Sequence, residues 1–163
     1  MTAQRQDSGT GWFRIARRFE IESGHRLSGH PEKCAFPHGH TRVVEVVLRS
    51  PSLDAHAMVC DYKVLKTLVE AVLEPLDHAM VLSAADPLRE HFAPFSKRLV
   101  LLEEDPTTEV LARYLFREIR DAFRSGSEVR TSSGAVYAVP AAAQVESVRV
   151  WETASTWAEY GEG

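Results

Sequence analysis

His38 and His40 are separated by a single glycine, so on an extended backbone both imidazoles project to one side and Gly39 permits close approach. Counting on by twos from His40 reaches Val44, Val46 and Leu48. The two rings therefore stand at the end of an apolar row. A second row, Phe13, Ile15, Phe19 and Ile21, continues through Ser23 to His25 and delivers a third imidazole in the same inward phase, with Arg17 the one break. Three imidazoles at the mouth of a sheet core suit a transition metal, zinc first, and leave a fourth tetrahedral position for water or substrate. Two other uses are open at this level. The histidines can be separate and partly exposed, or Cys34, four residues ahead of His38, can close the shell as a fourth ligand of a structural site. Glu152 is in phase with Val148 and Val150, which sets an acid where a strand's apolar face would otherwise continue; a strand-end acid facing solvent is the alternative.

Positioning these groups requires strands over the two alternating rows, and the two strands are suited to antiparallel pairing. Asp61 is a fitting N-cap for a helix with Val64, Leu65, Leu68, Val72, Leu73 and Leu76 on one stripe, ended by Pro75. Thr107, after Pro106, caps a second helix with Leu111, Tyr114, Leu115, Ile119 and Phe123 on its stripe, and Glu109 in the first turn suits the macrodipole. Residues 83–96 read as irregular, 98–103 and 135–139 as short strands, 145–152 as a firm strand and 157–160 as a further one. Strands grouped apart from helices predict an α+β sheet with helices on one face.

The chain has 163 residues, enough for one domain with one core, expected over 12–163 behind a flexible tail at 1–11. A net charge of −4 argues against a broad nucleic-acid footprint. Two cysteines rule out a disulfide framework and favour a reducing compartment. No run approaches the length of a membrane span, and the polar start lacks a secretory signal, so the expected setting is cytoplasmic, without membrane or nucleic-acid partners.

Glu20-Ile-Glu-Ser-Gly-His25-Arg-Leu, Cys34-Ala-Phe-Pro-His38-Gly-His40, Leu76-Asp77-His78, Pro106-Thr107-Thr108-Glu109 and Val150-Trp-Glu152-Thr153 occur in this order. Together they resemble the 6-pyruvoyl-tetrahydropterin synthase and 6-carboxy-tetrahydropterin synthase family, from about Phe13 to Thr153. The resemblance implies the tunnelling fold (T-fold), an antiparallel four-stranded sheet with two helices on one face, assembled as a homo-oligomer, a hexamer of two rings. It implies zinc (Zn2+) on His25, His38 and His40, Cys34 as catalytic thiol, Asp77 with His78 as the proton-handling pair, and Glu152 as the anchor of a pterin substrate, assisted by Thr107 and Thr108. The chemistry fits, because a carboxylate accepts two parallel hydrogen bonds from the amino and ring N–H groups of a pterin. Cys60 lacks comparable neighbours and is assigned to packing, while His30, His56 and His91 are assigned to the surface.

The implied substrate is 7,8-dihydroneopterin triphosphate. Cysteine four residues before His-Gly-His is similar to the carboxy branch, which releases triphosphate and acetaldehyde and feeds queuosine synthesis. The pyruvoyl branch usually has a longer gap there. Segments 83–104 and 125–144 are longer than in compact members. A pyruvoyl-type or side-chain-cleaving enzyme is the alternative, and a non-catalytic zinc and pterin binding protein is the reading from another class.

Overall fold

The computed structural model describes residues 11–162, so the expected tail at 1–11 lies, save for Gly11, outside the described residues. Strand β1 (Phe13–His25) pairs antiparallel with β2 (His38–Ser50) along its whole length, setting Ser23 opposite His40 and His25 opposite His38. The expected phases hold where they matter for the site. Phe19, Ile21, Ser23 and His25 alternate inward on β1, and Arg42, Val44, Val46 and Leu48 do so on β2. Phe13, at the outer end of β1, is 47 % exposed rather than buried.

Helix α1 (Tyr62–Leu73) is capped by Asp61, whose carboxylate accepts from the Lys63 N–H at 2.7 Å, and it buries Val64, Leu65, Val69 and Leu73. Leu68 and Val72 pack partly buried beside them. Strand β3 (Ala79–Ser83) follows, then a four-residue helix α2 (Arg89–Phe92), a 3-10 segment (Ala93–Arg98) and strand β4 (Leu99–Leu102). Helix α3 (Thr108–Ser125) is capped by the Thr107 hydroxyl, which accepts from the Val110 N–H at 3.3 Å. Leu111, Leu115, Phe116, Ile119 and Phe123 form its buried stripe. Strands β5 (Glu128–Arg130) and β6 (Val136–Ala138) make a separate two-stranded ribbon. Strands β7 (Gln144–Trp151) and β8 (Trp157–Tyr160) complete the main sheet.

That sheet corrects the four-stranded expectation. It has six strands in the order β4-β3-β1-β2-β7-β8, and β3 is parallel both to β1 and to β4. Among the described residues there are three α-helices, of which α1 and α3 pack on the sheet and against each other. Strand β3 escaped the sequence reading for a physical reason. Its Ala-Met-Val-Leu-Ser run is buried at every position except a half-buried Met80, so it carries no in-out alternation. Residues 83–96, read as irregular, hold α2 and the start of the 3-10 segment, and 125–144 hold the β5–β6 ribbon. Among the described residues no helix is long and apolar enough to cross a membrane.

Candidate metal centre and ligand cleft

Antiparallel register brings the three histidines together. His25 and His38 face each other across β1 and β2, and His40 stands one inward position further along β2. Their ring centroids are 4.5, 5.2 and 5.0 Å apart, and one ligand atom from each lies within 4.8 Å of the others. His25 Nδ1 contacts the Pro106 carbonyl at 2.9 Å and His38 Nδ1 contacts the Phe36 carbonyl at 2.7 Å. A carbonyl can only accept, so both Nδ1 atoms carry a proton, which in the neutral imidazole leaves Nε2 as the lone-pair atom. Those two Nε2 atoms are 3.1 Å apart, an arrangement that a cation between them relieves. His40 Nε2 is also buried and has no hydrogen-bond partner. The donor set therefore fits the zinc that the resemblance implies, with Nε2 of each ring as ligand.

Protonation agrees with that use. Burial pushes the His25 pKa down to about 4, and burial followed by the positive charge of Arg42 lowers that of His40. Both shifts favour the neutral imidazole that metal ligation demands.

Glu152 follows directly on β7, and the β2–β7 register, with Val43 opposite Trp151, carries it to the triad. Its Oε1 lies 3.3 Å from His25 Nε2, 3.5 Å from His40 Nε2 and 3.4 Å from Arg42 Nη2. Arg42 was not singled out from the sequence. The signal was present, because it shares the inward phase of His40, Val44 and Val46. It is 1 % exposed, donates from Nε to the Ser23 hydroxyl at 3.1 Å, and holds a buried Nη1 without a partner.

Cys34 sits on a 3-10 turn (Lys33–Ala35) and is partly buried. It lines a cleft of about 250 Å³ together with His25, Thr107, Thr108, Glu152 and Trp157. Among the described residues the close metal-binding group comprises the three histidines without Cys34, so the geometry does not support the four-ligand structural site. Thr107 and Thr108 occupy the start of α3, where first-turn N–H groups have no partner within the helix.

Asp77 and His78 are brought together but not to Cys34. Asp77 Oδ1 accepts from the Glu22 N–H at 2.9 Å, and Oδ2 lies 3.0 Å from His78 Nδ1. The Glu22 N–H lowers the Asp77 pKa, with a smaller contribution from His78. His78 has a left-handed backbone (φ 55°) and lines a different groove with Glu22, His40, Thr41 and Met80. The triad thus stands between two clefts, with His25 in the wall of the one that holds Cys34 and His40 in the wall of the one that holds His78. Cys60 is 2 % exposed and burial raises its pKa to about 11, in keeping with packing. His56 and His91 are exposed and His30 is half-buried, accepting from the Glu32 N–H.

This is a small α+β scaffold with three histidines converging beside a carboxylate and a thiol. The chain belongs to the 6-pyruvoyl tetrahydropterin synthase family, whose family model matches residues 14–163. It is accordingly an enzyme of the tetrahydropterin synthase type, a lyase. A 6-carboxy-5,6,7,8-tetrahydropterin synthase of Rickettsia bellii is 32 % identical over 113 residues, covering 66 % of this chain and 80 % of that protein. The protein of that name in Haemophilus influenzae is 27 % identical over 158 residues, covering 92 % and 99 %. Among solved structures, an uncharacterized Wolinella succinogenes protein superposes with a TM-score of 0.72 at 22 % identity, over 94 % of this chain and 100 % of that one. The Caenorhabditis elegans 6-pyruvoyl tetrahydropterin synthase gives 0.61 at 22 %, over 94 % and 97 %. At that identity the likeness shows the fold.

Proposed function

We propose that the chain is a zinc-dependent 6-carboxy-5,6,7,8-tetrahydropterin synthase acting on 7,8-dihydroneopterin triphosphate, with loss of triphosphate and acetaldehyde. The observation that carries this reading is the triad standing between two clefts, one lined by Cys34 and Glu152 and the other by His78, to which Asp77 is paired from outside that lining. Zinc on His25, His38 and His40 would act as a Lewis acid toward the side-chain oxygens of the pterin, making the adjacent C–H acidic.

The chain's own residues do the rest. Glu152 accepts hydrogen bonds from the amino and ring N–H groups of the pterin, and Arg42 behind it holds the carboxylate in place. Thr107 and Thr108, at the first turn of α3, offer donors to the same ring. Cys34 and His78 handle protons from their two sides, with Asp77 fixing the His78 ring through Nδ1. The cysteine four residues before His-Gly-His and the 6-carboxy names of the Rickettsia and Haemophilus relatives support the carboxy branch. Purified zinc-loaded protein given 7,8-dihydroneopterin triphosphate should release acetaldehyde in step with triphosphate. A dicarbonyl pterin without acetaldehyde would assign the pyruvoyl branch instead, and untouched substrate would sink the synthase reading.

The same reading includes a cytoplasmic setting, a role in queuosine synthesis, a single domain over 12–163, and a hexamer of two rings. In the described residues β4 and β8 are the outer strands of the sheet, and pairing between copies would satisfy such edges. Sedimentation should then report about 109 kDa, six copies of the 18.2 kDa chain.

A further inference from the structure

Cys34 rides on a turn that has little hold of its own. The Lys33–Ala35 turn buries none of its residues and has no side-chain cap, and Phe36 after it is 75 % exposed. Apart from hydrogen bonds within the turn, two hydrogen bonds tie it to the other described residues. The Leu27 N–H donates to the Cys34 carbonyl at 2.9 Å, and Arg26 Nε donates to the Ala35 carbonyl at 2.7 Å. Arg26 is in turn gripped by Asp86, with Nη1 2.8 Å from Oδ1.

Asp86 is well placed to hold it. Its side chain is fully buried, Oδ1 also accepts from the Leu88 N–H at 2.8 Å, and its own backbone is fastened to Ser83 and Arg89. Its Oδ2 is buried without a partner. A buried carboxylate with one idle oxygen is a poor way to gain stability, since an apolar side chain of similar size would avoid the desolvation. Its geometry suits alignment instead. The guanidinium is a rigid fork, and here its two arms span the carbonyl beside Cys34 and the carboxylate of the turn after β3. Segment 83–104, which the pterin chemistry leaves without a task, thereby reaches the turn that carries Cys34. Strand β3 starts at the Asp77–His78 pair and ends at this clamp.

We propose that Arg26 and Asp86 are positioning residues that set Cys34 in its cleft, an inference that rests on the reading of Cys34 as the catalytic thiol. Neither residue touches the substrate; both act through the Ala35 carbonyl.

The test uses the zinc-loaded full chain carrying Asp86→Leu, which is of similar size and cannot accept from Arg26, or Arg26→Lys, whose single ammonium cannot span both partners. Each should lower kcat tenfold or more while KM for 7,8-dihydroneopterin triphosphate stays within twofold and zinc per chain is unchanged. Iodoacetamide should alkylate Cys34 at least threefold faster, with Cys60 still protected. The double variant should be no worse than the worse single one, because the pair acts as one unit. Should Asp86→Leu not fold, Arg26→Lys decides. Wild-type alkylation rates in the variants, faster alkylation with undiminished kcat, or losses that simply add would each overturn the proposal. If the wild type itself does not turn over, it is the synthase reading that fails, and the alkylation rates alone decide the clamp.

Discussion

Arg42 and Glu152 meet at the floor of the candidate site, Nη2 to Oε1 at 3.4 Å, with the guanidinium 1 % exposed and the carboxylate open to the cleft. A permanently charged group shut inside the protein thus serves a carboxylate at the surface of the pocket.

From this follows a separation of stability from binding. Arg42→Met relieves a buried charge whose Nη1 has no partner but gives up the bonds to the Ser23 hydroxyl and Glu152, so the two effects oppose and the melting temperature should change by only a few degrees (about 1 kcal/mol). The carboxylate loses its fixed counter-charge, and KM for the pterin should increase about tenfold to a hundredfold, the worth of a hydrogen bond to a charged group. Thermal melts beside steady-state kinetics check it. A variant that melts much lower while keeping its KM would contradict this account of Arg42.

Metal content should depend on the three imidazoles and not on the thiol. His25→Ala or His40→Ala should lower zinc affinity by more than about a hundredfold, since two remaining ligands make an incomplete tetrahedral site. Cys34→Ala should retain zinc and lose turnover. Metal analysis after dialysis, beside a rate measurement, separates the two classes. Loss of zinc in Cys34→Ala would restore the four-ligand structural site.

Acid should weaken the metal-free protein in a defined window. His25 has an ordinary pKa of 6.5 when unfolded and about 4 when folded, because burial disfavours the imidazolium. Between those values the unfolded chain binds the extra proton, so stability rises with pH across the window. It is fully present above about 6.5 and lost as pH falls toward 4, by about 3 kcal/mol for this one group. Urea melts of the apo protein at pH 7, 5.5 and 4 would show it, and His25→Gln should flatten the profile.

The two thiols should differ sharply in alkylation. Burial raises the Cys60 pKa to about 11 and leaves it 2 % exposed, whereas Cys34 opens on the cleft. Iodoacetamide at pH 8 should modify Cys34 at least tenfold faster than Cys60, read by peptide mass spectrometry. Prior binding of a pterin should protect Cys34.

Much of the site was legible because a strand's period of two is a local property. Residues 13–25 and 38–50 each carry their phase in the order of side chains, and that phase alone predicts His25, His38 and His40 on the inward side. The helix caps at Asp61 and Thr107 were legible for the same reason, since a cap bonds to an N–H two or three residues on. Arg42 lay in the same phase and could have been read by extending the count one step beyond His40.

What spacing along the chain could not decide was which strands meet and in what register. Glu152 reaches His25 through the β2–β7 pairing, and Asp86 reaches Arg26 through a strand whose unbroken apolar run gives no alternation. Those contacts are selected by how the sheet and the two packed helices bury their apolar area together, a choice made over the whole core. The side chains and their phases were the sequence's own. The partner of each charge, and the placing of Cys34 and His78 in two clefts on either side of one triad, were decided by the tertiary structure.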